Sequence, residues 1–174
     1  LGPGPFHTPL GRSLFGAIGD SAPDRWGRVL MRRAERRRAE RAGETPRTLM
    51  EIDYLLMVDD EARQGALRFA LHDRMDAGGR ATQDAKAEEG GPFLAEHDAT
   101  RIPPLIDLPR LLSAAEHVVG DTDSDEDLRL LLAPGSSLGG ARPKASVRDR
   151  DGHLSIAKFP HKDDETNAVL WEAV

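Results

Sequence analysis

Residues Gly135–Lys158 read GSSLGGARPKASVRDRDGHLSIAK. Two short runs, Lys144–Arg148 (KASVR) and Leu154–Phe159 (LSIAKF), have strand character, and between them lies Asp149-Arg150-Asp151-Gly152, a turn with an Asp-Gly pair. The reading is a β-hairpin preceded by a turn of small residues: Gly135, Ser136, Ser137, Gly139, Gly140 and Ala141. Backbone N–H groups approach a phosphate closely only where side chains are small, so this turn is suited to dense negative charge. It is not a Walker A loop, because Ala141 follows Gly140 and the nearest lysine is Lys144; nor does it have the GxGxxG pattern. Side chains alternate along a strand, which puts Ile156 and Lys158 on one face and Ala157 and Phe159 on the other. If the first face lies under the loop, Lys158 reaches the phosphates.

Working outward, Asp163 or Asp164 caps a helix with Val169, Leu170 and Ala173 on one face, and this helix offers Glu165 and Glu172 as carboxylates to pair with Lys158. Before the loop, Pro103 and Pro104 introduce an extended lead, and Asp107 caps a helix with Leu111, Leu112, Ala115, Val118 and Val119 on its apolar face, ending at Gly120. Asp123 or Ser124 caps a further short helix containing Leu128, Leu130, Leu131 and Leu132, which Ala133-Pro134 is expected to terminate. His117 has no second histidine at metal-ligand spacing and is read as structural. Asp73–Gly91 is polar, glycine-rich and aperiodic, as a linker would be.

In the N-terminal third, Leu1–Gly19 is rich in glycine and proline and reads as an irregular docking segment. Asp20-Ser21-Ala22-Pro23 supplies a cap for a helix that begins with Trp26, Val29 and Leu30, becomes arginine-rich and stops at Gly43. Arginines invite a nucleic-acid reading, but Glu35 and Glu40 lie among them at helical spacing and no aromatics are interleaved, so the helix reads as a solvated face laced with ion pairs. Thr48 and Glu51 form an expected capping box before Leu49, Ile52, Leu55 and Leu56. Asp59, Asp60 and Glu61 read as a solvated acidic turn, and Ala66–Leu71 as a short alternating strand.

The chain of 174 residues, 5% aromatic, fits two compact modules and a loose connection. A net charge of -6 argues against a general polyanion-binding surface, and the absence of cysteine excludes disulfides and thiolate metal sites. No run approaches the ~20 apolar residues needed to span a bilayer, and the N-terminus lacks the order of a secretory signal, so a cytoplasmic protein is expected. The chain opens without methionine and closes on NAVLWEAV without a helix stop signal, which fits a fragment of a longer protein.

GSSLGGARPKASV, followed by SIAKFP and a helix containing WEAV, resembles the HipA family of bacterial serine/threonine kinases, the toxins of type II toxin–antitoxin pairs. DSAPDRWGR and DDEARQGALRF are similar to that family's N-terminal subdomain. The resemblance implies an α+β fold: a partial N-terminal subdomain and polar loop over residues 1–90, a helical connector over 91–134, and the start of a kinase-like small lobe over 135–174. It implies ATP contacts from Gly139, Gly140, Ala141, Arg142, Pro143, Lys144 and Lys158, inhibitory autophosphorylation at Ser137, and Glu172 as the carboxylate paired with Lys158. Arg142-Pro143 departs from the Gln-Glu of some members, and proline offers one N–H fewer.

A kinase also needs a base aspartate and ligands for Mg²⁺. The resemblance places both beyond Val174, so residues 1–174 alone are expected to be inactive. It implies an antitoxin of HipB type as partner, a protein substrate such as an aminoacyl-tRNA synthetase, DNA contact only through the antitoxin, and no membrane association. The alternative is a protein-binding, antitoxin-docking module with a degenerate kinase lobe.

Overall fold

The computed structural model describes residues 7–59, 62–65, 67–69, 102–135 and 140–160. They form helices α1 (Gly16–Gly19), α2 (Arg25–Ala42), α3 (Glu51–Leu56), α4 (Leu108–Val119) and α5 (Asp125–Gly135), a 3-10 turn at Leu105–Asp107, and strands β1 (Lys144–Arg148) and β2 (Leu154–Lys158). The fold is mixed helix and strand, with a two-stranded antiparallel sheet.

The cap of α2 is Asp24 rather than a residue of Asp20–Ala22. Its carboxylate accepts the Arg25 N–H at 2.7 Å, and Pro23 precedes the cap. Upstream, α1 adds one helical turn to a segment expected to be irregular throughout. At the other end of α2, Gly43 takes the left-handed conformation (φ 66°), and the Gly43 and Glu44 amides reach the Glu40 and Ala39 carbonyls. Only glycine adopts that conformation without a Cβ penalty, so the helix stops where the sequence indicated.

Two faces of α2 are buried. Trp26 and Leu30 join Leu111, Ala114, Ala115 and Val118 of α4, Leu128 and Leu131 of α5, and Ala145, Val147 and Phe159 of the hairpin. These residues come from early, middle and late parts of the chain and make one core. Met31 packs instead with Leu49, Tyr54 and Val58 in a second cluster.

The arginines of α2 are largely spent on the protein itself. Arg33 pairs with Asp121 and with buried Asp123, Arg37 donates to the Asp123 carbonyl at 2.6 Å, and Arg41 lies 3.7 Å from Asp125. Arg38 grips buried Glu35 with two hydrogen bonds of 3.0 Å, and these bonds hold the Glu35 carboxyl below its ordinary range despite burial. The ion-paired reading of this helix therefore holds for these positions, and the pairs also stitch α2 to the turn between α4 and α5.

At α3 the helix begins after Met50, and Asp53, not Glu51, accepts the cap amide, at 2.7 Å from the Met50 N–H. Glu51 instead receives two hydrogen bonds from Arg28, at 2.6 and 2.7 Å, and Ile52 is exposed because the short helix buries Tyr54 and Leu55. Asp59 is buried, not solvated, and accepts the Ala62 N–H at 3.3 Å. Residues Leu67–Phe69 are irregular rather than strand, and the rest of that expected strand, together with Asp60 and Glu61, lies outside the described residues. Arg63 is buried there, donating to the carbonyls of Ser21, Leu55 and Val58, with its guanidinium 4.8 Å from the Phe69 ring. A guanidinium has enough donors in fixed directions to bind several carbonyls at once.

Helix α4 follows its expected bounds, ending against Gly120. Ser124 and Asp127 cap α5 reciprocally: the Ser124 hydroxyl accepts the Asp127 amide at 3.1 Å, and the Asp127 carboxylate accepts the Ser124 amide at 2.8 Å. The α5 backbone runs on through Pro134 to Gly135 instead of stopping at Ala133.

The hairpin has the expected strands. Lys144 pairs with Lys158, Ala145 with Ala157, Ser146 with Ile156, Val147 with Ser155 and Arg148 with Leu154. Gly152 has φ 85°, and the Asp149 carboxylate accepts the amides of Asp151 and His153, both at 2.9 Å. Pro104 bridges Arg148 in parallel, with the Arg148 amide 2.9 Å from the Pro103 carbonyl, so the extended Pro-Pro lead lies along the second edge of β1.

Candidate functional site

The candidate site is the end of the hairpin nearest the glycine-rich loop. Strand alternation turns Ala145, Val147, Ala157 and Phe159 toward the helices, while Ile156 and Lys158 are exposed on the other face, as the sequence indicated. Register places Lys144 directly opposite Lys158 on that outer face. The Phe159 amide donates to the Pro143 carbonyl at 2.9 Å. Hydrogen-bonded and non-hydrogen-bonded pairs alternate along an antiparallel ladder, so Lys144 and Lys158 form a non-hydrogen-bonded pair, the kind in which side chains approach more closely. Two ammonium-bearing side chains so placed raise the local positive potential and favour an anion between or beside them.

The end of the loop is held next to this pair. Gly140 has φ 94°, and a Cβ added there would lie 2.5 Å from Lys144 Nζ, so the lysine side chain folds over the space that glycine leaves. The Gly140 amide donates to Asp24, the Gly140 carbonyl accepts the Trp26 amide at 3.2 Å, and the Trp26 indole N–H donates to the Lys144 carbonyl at 2.9 Å. The Gly140 amide is the main influence holding the Asp24 carboxyl below its ordinary range; burial opposes it, and the Arg25 amide and the charges of Lys144 and Arg25 reinforce it. The start of α2 thus contacts both sides of Gly140.

Of the residues singled out from the sequence, Gly140, Lys144 and Lys158 come together. Ala141 is exposed and Arg142 half-buried beside them. Pro143 is fully buried, and its carbonyl starts the hairpin ladder, so its part here is structural. Gly139, Ser137, Glu165 and Glu172 lie outside the described residues.

Asp24 and Trp26 are the residues that hold Gly140 and Lys144, and no local pattern in the sequence marks them for that contact. Their partners lie 116 and 118 residues away, beyond the reach of any local pattern. Asp149, Asp151 and His153 also place ligand atoms within 4.8 Å of one another, but they sit at the turn end of the hairpin, where Asp149 is occupied by turn amides. His117 lies 3.1 Å from the Asp127 carboxylate, in keeping with a structural role. A cleft of about 290 Å³ beside α1 is lined by Arg12, Asp20, Arg28 and Glu51, among others, and no described residue of the loop or hairpin is in its wall.

Comparison with protein-family models, with curated proteins and with solved structures finds no match to this chain. Among the described residues, no helix is long and apolar enough to cross a membrane.

Proposed function

We propose that this chain is the nucleotide-binding part of a HipA-like serine/threonine kinase, with an N-terminal subdomain and the beginning of a kinase-like small lobe. The observation that carries the reading is the cross-strand pair of half-buried Lys144 and exposed Lys158, on a hairpin that begins beside Gly140. A triphosphate seated there gains charge-assisted hydrogen bonds from both ammonium groups. The exposed side chain of Ile156, next along β2 on the same face as Lys158, offers an apolar surface for the base.

In this reading ATP is the phosphoryl donor, a protein side chain the acceptor, and Ser137 a regulatory phosphosite. A phosphate on Ser137 adds about -1.5 to -2 charges, and like-charge repulsion then opposes ATP. Mg²⁺ is a different matter. The Asp24 carboxylate feels the charge of Lys144, and its two oxygens already accept the Arg25 and Gly140 amides. That arrangement does not fit a metal ligand. Transfer chemistry, the HipB-type antitoxin and the protein substrate belong to the whole kinase in this reading.

The test is binding of a fluorescent ATP analogue to the 174-residue chain and to Lys158→Ala. A lost charge-assisted contact of about 1.5–3 kcal/mol weakens binding roughly 10- to 100-fold. Equal affinity in the two proteins refutes the assignment of Lys158.

A further inference from the structure

We propose that Asp24 and Trp26 are positioning residues that clamp the C-terminal end of the glycine-rich loop onto the first turn of α2, preorganising Gly140–Lys144 for an anionic ligand. The proposal rests on the nucleotide reading above, although the clamp itself is a matter of geometry.

Both backbone polar groups of Gly140 are used by α2: its N–H by the Asp24 carboxylate and its C=O by the Trp26 amide. Four residues on, the buried Trp26 ring sends its indole N–H to the Lys144 carbonyl. The loop is therefore tied at two points to one rigid helical turn, and Lys144 starts β1 from a fixed carbonyl. Gly140 has a positive φ, and a larger residue there meets both backbone strain and Lys144 Nζ.

It follows that the Gly140 N–H is not a phosphate donor. A protein carboxylate already holds it, and ligand contact passes to the lysines whose backbone the clamp fixes. Order created before binding is order that binding need not create, which raises affinity without any contact to the ligand.

The alternative role for Asp24 has the opposite sign. Its negative charge lies near Lys144, so if it merely occupied the place of a phosphate oxygen, removing it would tighten nucleotide binding. Asp24→Asn retains an acceptor for Gly140 and loses the charge; Asp24→Ala loses both.

The experiment combines amide hydrogen exchange at Gly140, followed by NMR, with affinity for the fluorescent ATP analogue, in the 174-residue wild type, Asp24→Ala, Asp24→Asn and Trp26→Phe. A clamp predicts a protected Gly140 amide whose exchange accelerates about tenfold or more in Asp24→Ala and stays slow in Asp24→Asn. It also predicts roughly fivefold weaker analogue binding in Asp24→Ala, binding within about twofold of wild type in Asp24→Asn, and an intermediate loss in Trp26→Phe. Unchanged Gly140 exchange in Asp24→Ala overturns the clamp, and tighter or unchanged analogue binding in that variant overturns the positioning role. If the wild type binds no analogue, the nucleotide reading fails by itself, and Gly140 exchange still decides whether the clamp exists. Should Asp24→Ala not fold, Trp26→Phe tests the second tie, at the Lys144 carbonyl, and analogue binding equal to wild type in that variant overturns the positioning role.

Discussion

Replacing Trp26 with phenylalanine perturbs the point where the N-terminal helix, the loop and the hairpin meet. Trp26 is 3% exposed, and its ring packs in the cluster that includes Leu30, Leu111, Ala145 and Val147. The substitution removes about two buried ring carbons, at about 0.8 kcal/mol each, and leaves a void where they were. It also removes the 2.9 Å hydrogen bond to the Lys144 carbonyl, worth roughly 1 kcal/mol net. The expected loss is about 2–3 kcal/mol, or a fall of about 5–10 °C in Tm for a domain of this size. Urea unfolding followed by circular dichroism measures it, and an unchanged urea slope shows that the unfolded state is the same. A loss below about 0.5 kcal/mol, the range of ordinary surface substitutions, refutes both the burial and the hydrogen bond that tie α2 to the hairpin.

Two other substitutions test the rest of the scaffold. Arg63→Met deprives the carbonyls of Ser21, Leu55 and Val58 of their donor and is expected to cost about 3–4 kcal/mol in urea unfolding, with Arg63→Lys recovering only part because one ammonium cannot span three separated carbonyls. Glu51→Gln tests the Arg28 pair by pH: hydrogen bonds from Arg28 hold the Glu51 carboxyl below its ordinary value of 4.5, although burial opposes them. A depressed carboxyl contributes stability above its unfolded value and loses it as the pH falls. The stability difference between wild type and Glu51→Gln should therefore be greatest near neutrality, at about 0.5–1 kcal/mol because the pair is partly open to solvent, and should shrink from about pH 4.5 downward, as Tm measured across pH will show.

Elements with a local code were legible in the sequence. The hairpin follows from strand alternation and an Asp-Gly turn, α2 stops at Gly43 because glycine tolerates the left-handed cap, and α4 ends at Gly120. Helix starts were less legible where several cap residues compete. Asp20, Ser21 and Asp24 are all good caps by type, and what selects Asp24 is a second bond to Gly140 across the fold. The same is true of Asp59 and Arg63: charged residues on a chain read as solvated, and only tertiary structure shows that they are buried with partners. Pro134 lies inside α5, where a local rule ends the helix early.

At the candidate site, alternation alone put Lys158 on the face away from Ala157 and Phe159. That Lys144 would stand opposite it required the register, which the turn length sets once Gly152 takes its positive φ. The attachment of the loop to α2 had no signal in sequence spacing, since hydrogen bonds between residues more than a hundred positions apart leave no periodic trace.

Titration of the 174-residue chain, Lys144→Ala and Lys158→Ala with a fluorescent ATP analogue asks whether the Lys144–Lys158 pair binds a nucleotide's phosphates. The wild type is expected to bind saturably, in competition with unlabelled ATP, and each variant to bind at least about tenfold more weakly. Absence of saturable binding, or binding that neither substitution weakens, contradicts that role for the pair.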